Sequence, residues 1–353
     1  MSEKRFYLDI HAIQTLPPSN VNRDDTGSPK TAMYGGVRRA RVSSQSWKRA
    51  MRKFFIEESG ENLGVRSLNV IKYLAERIME ADSTVTEEKA MEIAEKVFND
   101  AGIKTKDQKT KALFFLGKEQ AEKLAKAVVE GETDKSSIKQ IFSDNPPIDI
   151  ALFGRMVADD PSLNEDASSQ VAHAISTHEV QTEFDFFTAV DDMAPEDNAG
   201  AGMLGTVEYN SSTMYRYANI AMHELVKQLD SKERAVDAAK LFIQAFANSM
   251  PTGKSNTFAN QTLPQLLMIN IRTDRPVSLV TAYENPVKPI EGYVIPSIER
   301  LFDEVEKTKK FVKAPVKTLY IVEEEIEERE WAKEMDNIST LMEDFAKSAE
   351  ELL

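Results

Sequence analysis

The chain has 353 residues, with 44 Lys and Arg against 58 Asp and Glu, for a formal charge of −14. It contains no cysteine, which excludes disulfides and thiolate metal sites, and its 41% hydrophobic content is ordinary for a water-soluble fold. No apolar run approaches the roughly 20 residues that span a bilayer, and no apolar signal segment opens the chain. The expectation is a cytoplasmic protein of two or three modules with no membrane role.

Phe6, Leu8, Ile10 and Ala12 alternate with Tyr7, Asp9, His11 and Ile13, which predicts a strand ended by Pro17 and Pro18. Residues 20–31 read as a polar loop with Gly27 and Pro29, carrying Arg23 and Lys30. Gly35 and Gly36 mark a turn that lets backbone approach a ligand closely. Val37 to Val42 alternates as a strand, with Arg39 and Arg41 on one face. Ser43 and Ser44 are N-cap residues for a helix in which Trp47, Ala50, Met51, Phe54 and Phe55 recur at helical spacing. Arg38, Arg39, Arg41, Lys48, Arg49, Arg52 and Lys53 stand in this stretch with no acid among them. In so acidic a chain they read as a local site for a polyanion, the helix N-terminus and the Ser43, Ser44 and Ser46 hydroxyls suiting phosphate. A solvated basic helix is the alternative.

From about Ser67 to Phe142 the chain is rich in Ala, Lys and Glu and has helical periodicity, as expected of a helical insertion. Lys104, Lys106, Lys109 and Lys111 form a looser basic cluster there, read as a solvated loop and helix end. Asn145-Pro146-Pro147 is a boundary. Val171, His173, Ile175 and Thr177 alternate as a strand. Phe184, Phe186 and Phe187 follow, then a loop from Pro195 to Gly205 and an extended arm from Thr206 to Tyr217, together a projecting hairpin. Helices are expected over Met222–Leu229, Ser231–Asn248, Ile298–Phe311 and Glu325–Leu353, with a short strand over Leu266–Ile271. The acids between Glu323 and Asp336 then fall on a solvated helix that repels nucleic acid or meets a basic neighbour.

Thr252-Gly253-Lys254-Ser255 has the ending of a phosphate-binding loop, but Asn248 stands where that motif needs glycine, so Lys254 is instead a candidate contact to nucleic acid. His11, His173, His178 and His223 have no metal-ligand spacing and read as structural. No metal, cofactor or catalytic residue is expected.

NRDD at 22–25, GG at 35–36 and RRARVSSQSWKRAMRK at 38–53 resemble the N-terminus of the crRNA-binding backbone subunit (CasC type) of Cascade, the type I-E CRISPR surveillance complex. The resemblance returns in DIALFGRM at 149–156, AHAISTHEV at 172–180, DFFTAVDDM at 185–193 and YRYANI at 215–220, and again from about Met250 to Ser297. It implies an α+β fold shaped like a hand: a modified RNA-recognition-motif (ferredoxin-like) palm from residues 1–60 and 213–353, helical fingers over 61–170 and a β-hairpin thumb over 171–212. It further implies several copies along one crRNA, other Cascade subunits as partners, and target DNA reached through pairing with the spacer bases. Motif by motif, Arg23, Lys30, Ser43, Gln45, Lys48, Arg49 and Arg52 fall on RNA-contacting positions, and Met156, Phe186, Phe187 and Thr188 on thumb and neighbour contacts. Lys288 matches one of a pair of basic positions whose second member is Ile290 here, and only Lys135 and Lys139 match finger lysines that meet duplex DNA. Related type III backbone subunits cut RNA through a loop aspartate. A metal-dependent endonuclease using Asp24 or Asp25 is therefore the second reading, and a lone RNA-binding protein that never polymerises is the third.

Overall fold

The computed structural model describes residues 5–59, 63–132, 134–189, 193, 203–289 and 291–353. The chain opens with β1 (Tyr7–Ser19), β2 (Thr31–Tyr34), β3 (Val37–Val42) and α1 (Ser44–Ser59). A mainly helical segment follows: β4 (Gly64–Ser67), α2 (Val70–Ala81), α3 (Glu87–Asp100), the small hairpin β5 (Thr105–Lys106) and β6 (Lys109–Thr110), β7 (Phe114–Gly117), α4 (Lys118–Val129) and α5 (Lys135–Ser143). Then come α6 (Ile148–Phe153), β8 (Ser169–Val171), β9 (Ala174–Ser176), β10 (Glu183–Ala189), β11 (Met203–Ala221), α7 (Met222–Leu229), α8 (Lys232–Asn248) and α9 (Ser255–Phe258). The chain closes with β12 (Leu266–Arg272), α10 (Val294–Thr308), β13 (Lys317–Val322), β14 (Lys333–Glu334) and α11 (Ile338–Leu352).

The main sheet runs β14-β13-β12-β1-β11-β9-β3-β2, with β8 and β10 also paired to β11. Every pairing in it is antiparallel except β13 with β14. Both faces are covered, and the alternation in β1 sorts its residues between them. Leu8, Ile10 and Ala12 pack with Met51 and Phe55 of α1, Leu152 of α6, Phe242 and Phe246 of α8, and Leu341 and Phe345 of α11. On the other face Ile13, Tyr215, Tyr217 and Met268 lie under Leu279, Tyr283 and Ile298, Leu301 and Phe302 of α10. The segment from α2 to α5 has a core of its own, with Ile71, Leu74, Phe98, Leu124 and Phe142 at its centre.

Several local expectations need correction. β1 runs through Pro17 and Pro18 to Ser19, because a register shift between Leu16 and Ser19 removes the need for their missing N–H groups. The C-terminal helix starts only at Ile338, capped by Asn337, rather than at Glu325. Residues 323–337 are held differently: Trp331 packs edge-on against Phe302, and Arg329 is ion-paired with Glu299 and Glu327. Crowded glutamates at helical spacing repel one another, and the tryptophan has an apolar place to go. β14, inside this region, pairs in parallel with β13 and forms the edge of the sheet. Gly35 and Gly36 do form a turn with positive φ, but the close approach is to the chain itself, since a Cβ on Gly35 would sit 1.6 Å from the Glu284 carbonyl oxygen. The tip expected between Pro195 and Gly205 lies outside the described residues up to 202, and Gly205 itself belongs to β11.

Two buried titratable groups share the α10-facing side of β1. Asn270 Nδ2 donates to His11 Nε2 at 3.3 Å, and Tyr215 Oη lies 2.9 Å from Nδ1. Burial, with Arg272 nearby, holds this imidazole down to about 3. Asp9 accepts from Tyr217 Oη and the Val277 N–H, yet burial pushes it up to about 7. His11 binds its proton only in the unfolded chain between its folded value and 6.5, so its contribution is present above 6.5 and lost as pH falls. Asp9 has the opposite sign, since its folded state holds the extra proton between 3.8 and about 7. The two slopes oppose each other. In urea melts, His11→Gln should therefore gain on the wild type by a factor of about ten in folding constant for each pH unit from about 6 down to 4. A constant difference across that range would refute the buried neutral imidazole.

Candidate nucleic-acid interface

Helix α1 carries the charge, and its seat determines which cations face outward. Its apolar stripe places Trp47, Ala50, Met51 and Phe55 in the protein interior. Trp47 lies against the buried Arg216 of β11, whose guanidinium carbon is 3.6 Å from the indole centroid and 4.3 Å from that of Phe246. Arg216 donates to Gln14 Oε1 and, at 2.6 Å, to the Phe246 carbonyl. Gln14 passes the link on, donating to the Thr262 carbonyl at 2.7 Å and contacting Met250 Sδ. One buried cation thus ties α1 to β1, β11, the end of α8 and the loop that follows it.

The exposed side of α1 is a ridge between two open grooves. One, of about 610 Å³, is lined by Asn22 to Gly27, by Ser46, Arg49 and Lys53 of α1, and by Met250 to Gly253. Its floor requires glycine at 253, where a Cβ would lie 2.2 Å from the Val21 carbonyl oxygen. The other, of about 800 Å³, joins Gln45, Lys48, Arg49 and Arg52 to Arg66, Leu113, Phe115, Phe153 and Met156. Lys48 sits 5.5 Å from the Phe153 ring centroid, and burial lowers its pKa. Met156, at 83% exposed, stands on the rim.

The predicted residues separate into distinct places. Gln45, Lys48, Arg49, Arg52 and Met156 come together in the larger groove, and Arg23 joins Arg49 in the smaller. Arg52 is also structural: it pairs with buried Asp149 at 3.2 Å, donates to the Gly64 carbonyl and stacks 4.3 Å above Phe115. Ser43 is buried and caps α1, its N–H bound by Asn22 Oδ1 at 2.8 Å. Lys30 lines a separate crevice beside Arg41. Lys254 begins the short α9 in a left-handed conformation, half-buried, and Lys288 is exposed; neither lines these grooves. Ile290 lies outside the described residues. Lys135 and Lys139 are paired with Asp100 and Asp160. Arg39, counted above among the exposed cations, is fully buried and donates to the carbonyls of Tyr34, Ser176 and Tyr283.

Phe186, Phe187 and Thr188 stand on a hairpin that projects from the sheet. β10 pairs with Met203–Tyr209 of β11, and the next residues of the same strand pair with β1. Phe184 and Phe186 are 66% and 65% exposed on one face. Phe187 lies on the other face, over Gly205, where a Cβ would come within 2.3 Å of its ring.

Asp24 and Asp25 line the smaller groove. Asp24 Oδ1 accepts from the Thr26 and Ser28 N–H groups and the Thr26 hydroxyl, an arrangement that lowers its pKa, the hydroxyl contributing most. Among the described residues no three His, Asp or Glu side chains converge as a metal set, and no helix is long and apolar enough to cross a membrane. Arg66, Phe115 and Phe153 were not singled out as groove residues from sequence. Phe153 stands inside the DIALFGRM motif, whereas Arg66 is an isolated cation with no neighbouring pattern.

A solved chain titled "CRISPR RNA-guided surveillance complex, pre-nicking" is 32% identical, with a TM-score of 0.85 over 97% of this chain and 100% of that one. Another, titled "CRISPR RNA-guided surveillance complex", is 29% identical, with a TM-score of 0.68 over 97% and 99%. No curated protein matches. A family model described as "CT1975-like protein" matches residues 8–346, nearly the whole chain, and the protein belongs to that family.

Proposed function

We propose that this chain is the backbone subunit of a Cascade-type CRISPR surveillance complex, of type I-E, and that copies of it polymerise along crRNA. The observation that carries the proposal is the α1 ridge, whose Lys48 and Arg49 face open grooves while its apolar stripe is locked into the core. A subunit that must hold any spacer contacts phosphate and sugar and leaves base edges to pair with target DNA. A cationic ridge flanked by open grooves suits that task. The near-complete match to chains with surveillance-complex titles supports the same reading. So does the strand order β12-β1-β11-β9, with α1 after β1 and α8 between β11 and β12, which is the ferredoxin-like arrangement expected of a palm. On this reading α2 to α5 are the fingers and β10–β11 the thumb.

The chain is proposed to hold RNA without cutting it. Asp24 is engaged in its own turn, which leaves Asp25 as the carboxylate to test. Purified protein incubated with labelled RNA and Mg²⁺ or Mn²⁺ should leave it intact, and cleavage that disappears in Asp25→Ala would promote the nuclease reading.

Binding should be dominated by phosphate contacts. With about five such contacts, affinity for single-stranded RNA should fall about a hundredfold between roughly 50 and 200 mM salt. Lys48→Glu with Arg49→Glu should abolish binding and leave the fold intact. Arg52 is excluded from the reversal because it neutralises Asp149 and its loss would confound folding with binding. Salt-independent binding would sink the proposal.

The hairpin serves assembly. Phe186→Ala with Phe187→Ala removes rings that are 65% and 43% exposed, so the monomer should melt within a few degrees of wild type. In sedimentation with crRNA the oligomer should shorten or vanish. Loss of about 3–5 kcal/mol per ring, the value for buried Phe, would mark them as core instead.

A further inference from the structure

His173 lies in the short connection between β8 and β9, exposed, beside the N-terminus of α1. Its Nδ1 lies 3.2 Å from Arg41 Nη1 and 3.4 Å from the Ser44 backbone N. Both neighbours only donate, so Nδ1 carries a lone pair and the ring is neutral. The charged groups acting on the ring are Arg41 of β3 and Lys30 of the preceding loop, both cationic; no carboxylate is among them. Arg41 is held in place by a bond from its Nε to the Thr31 carbonyl, and its N–H bonds the Lys30 carbonyl. A neutral lone pair therefore occupies the point where an arginine and a helix N-terminal N–H converge, with Lys30 lining the adjoining crevice beside Arg41. A phosphate oxygen satisfies these donors better, because each bond becomes charge-assisted.

We propose that Lys30, Arg41, the Ser44 N–H and His173 form a phosphodiester subsite, in which the imidazole is a displaceable occupant that takes up a proton as phosphate enters. The inference rests on the RNA reading and assigns Arg41 and His173 to it. Without an anion, a charged imidazole would add a third positive charge beside two others and break both of its bonds. Burial and the two cations accordingly lower its pKa. With a phosphodiester present a negative charge stands beside the ring and offsets one of the two cations, Nδ1 takes a proton from solvent, and N–H donates to a phosphate oxygen. Binding is then coupled to uptake of up to one proton per site, and affinity rises as pH falls.

The test is calorimetric titration of the full chain with a short unstructured RNA near pH 6.5, in buffers of different ionisation enthalpy, together with affinities at about pH 8 and 6. Wild type should take up protons and bind severalfold more tightly at the lower pH. His173→Asn, which keeps an acceptor but cannot titrate, should take up none and lose that ratio. Arg41→Gln should weaken binding at both pH values and reduce the uptake. Wild-type binding without proton uptake, or equal uptake by His173→Asn, overturns the subsite and leaves RNA binding standing. Absence of binding at either pH overturns both.

Discussion

The buried guanidinium of Arg216, clasped between the rings of Trp47 and Phe246, is the contact on which the outer face of α1 depends. Its partners are neutral oxygens, Gln14 Oε1 and the Phe246 carbonyl, so its charge is spread over rings and amides rather than cancelled by a carboxylate. Its Nε has no hydrogen-bond partner, so removing either oxygen would leave a second N–H of this buried cation unsatisfied. Through this contact the rotation of α1 about its axis is set, and with it the direction of every cation on its outer side. The same network reaches Met250, which lines the smaller groove.

Arginine plays two roles here, and they look alike in sequence. Arg39 and Arg41 are two residues apart on β3, yet Arg39 is buried among carbonyls while Arg41 reaches the helix N-terminus. Arg155, like Arg39, is buried and donates to backbone carbonyls, of Leu163 and Phe142. What separates them is tertiary: a strap from Val277 to Glu284 closes over Arg39 and leaves Arg41 open. No local pattern announces that strap, which explains why a count of cations overstates the exposed charge.

Much else was legible. Period-two alternation in β1 and period-four spacing in α1 are local consequences of two buried faces and one, so the residues themselves report them. Serine at the start of α1 and at the start of α8 marks both helix origins. Gln45, Lys48, Arg49, Arg52 and Met156, recognised as separate motif positions, are brought together in one groove. The C-terminal stretch misled because glutamates have helical propensity, whereas Trp331 and the Arg329 ion pairs hold it in another conformation. Arg66 could not be found, since only the packing of β4 beside β7 carries it to the groove.

β11 is a single strand of 19 residues, about 60 Å long, whose inner part is central in the sheet and whose outer part is half of the projecting hairpin. The two parts belong to one continuous strand, so the arm takes its direction from the sheet. Side chains alternate along the strand, and an insertion or deletion of one residue near Asn210 would turn Phe184 and Phe186 to the opposite side of the arm. Lengths differing by two preserve the facing. Evolution can therefore change the reach of this arm only in steps of about 7 Å, which makes the strand a ruler with discrete marks.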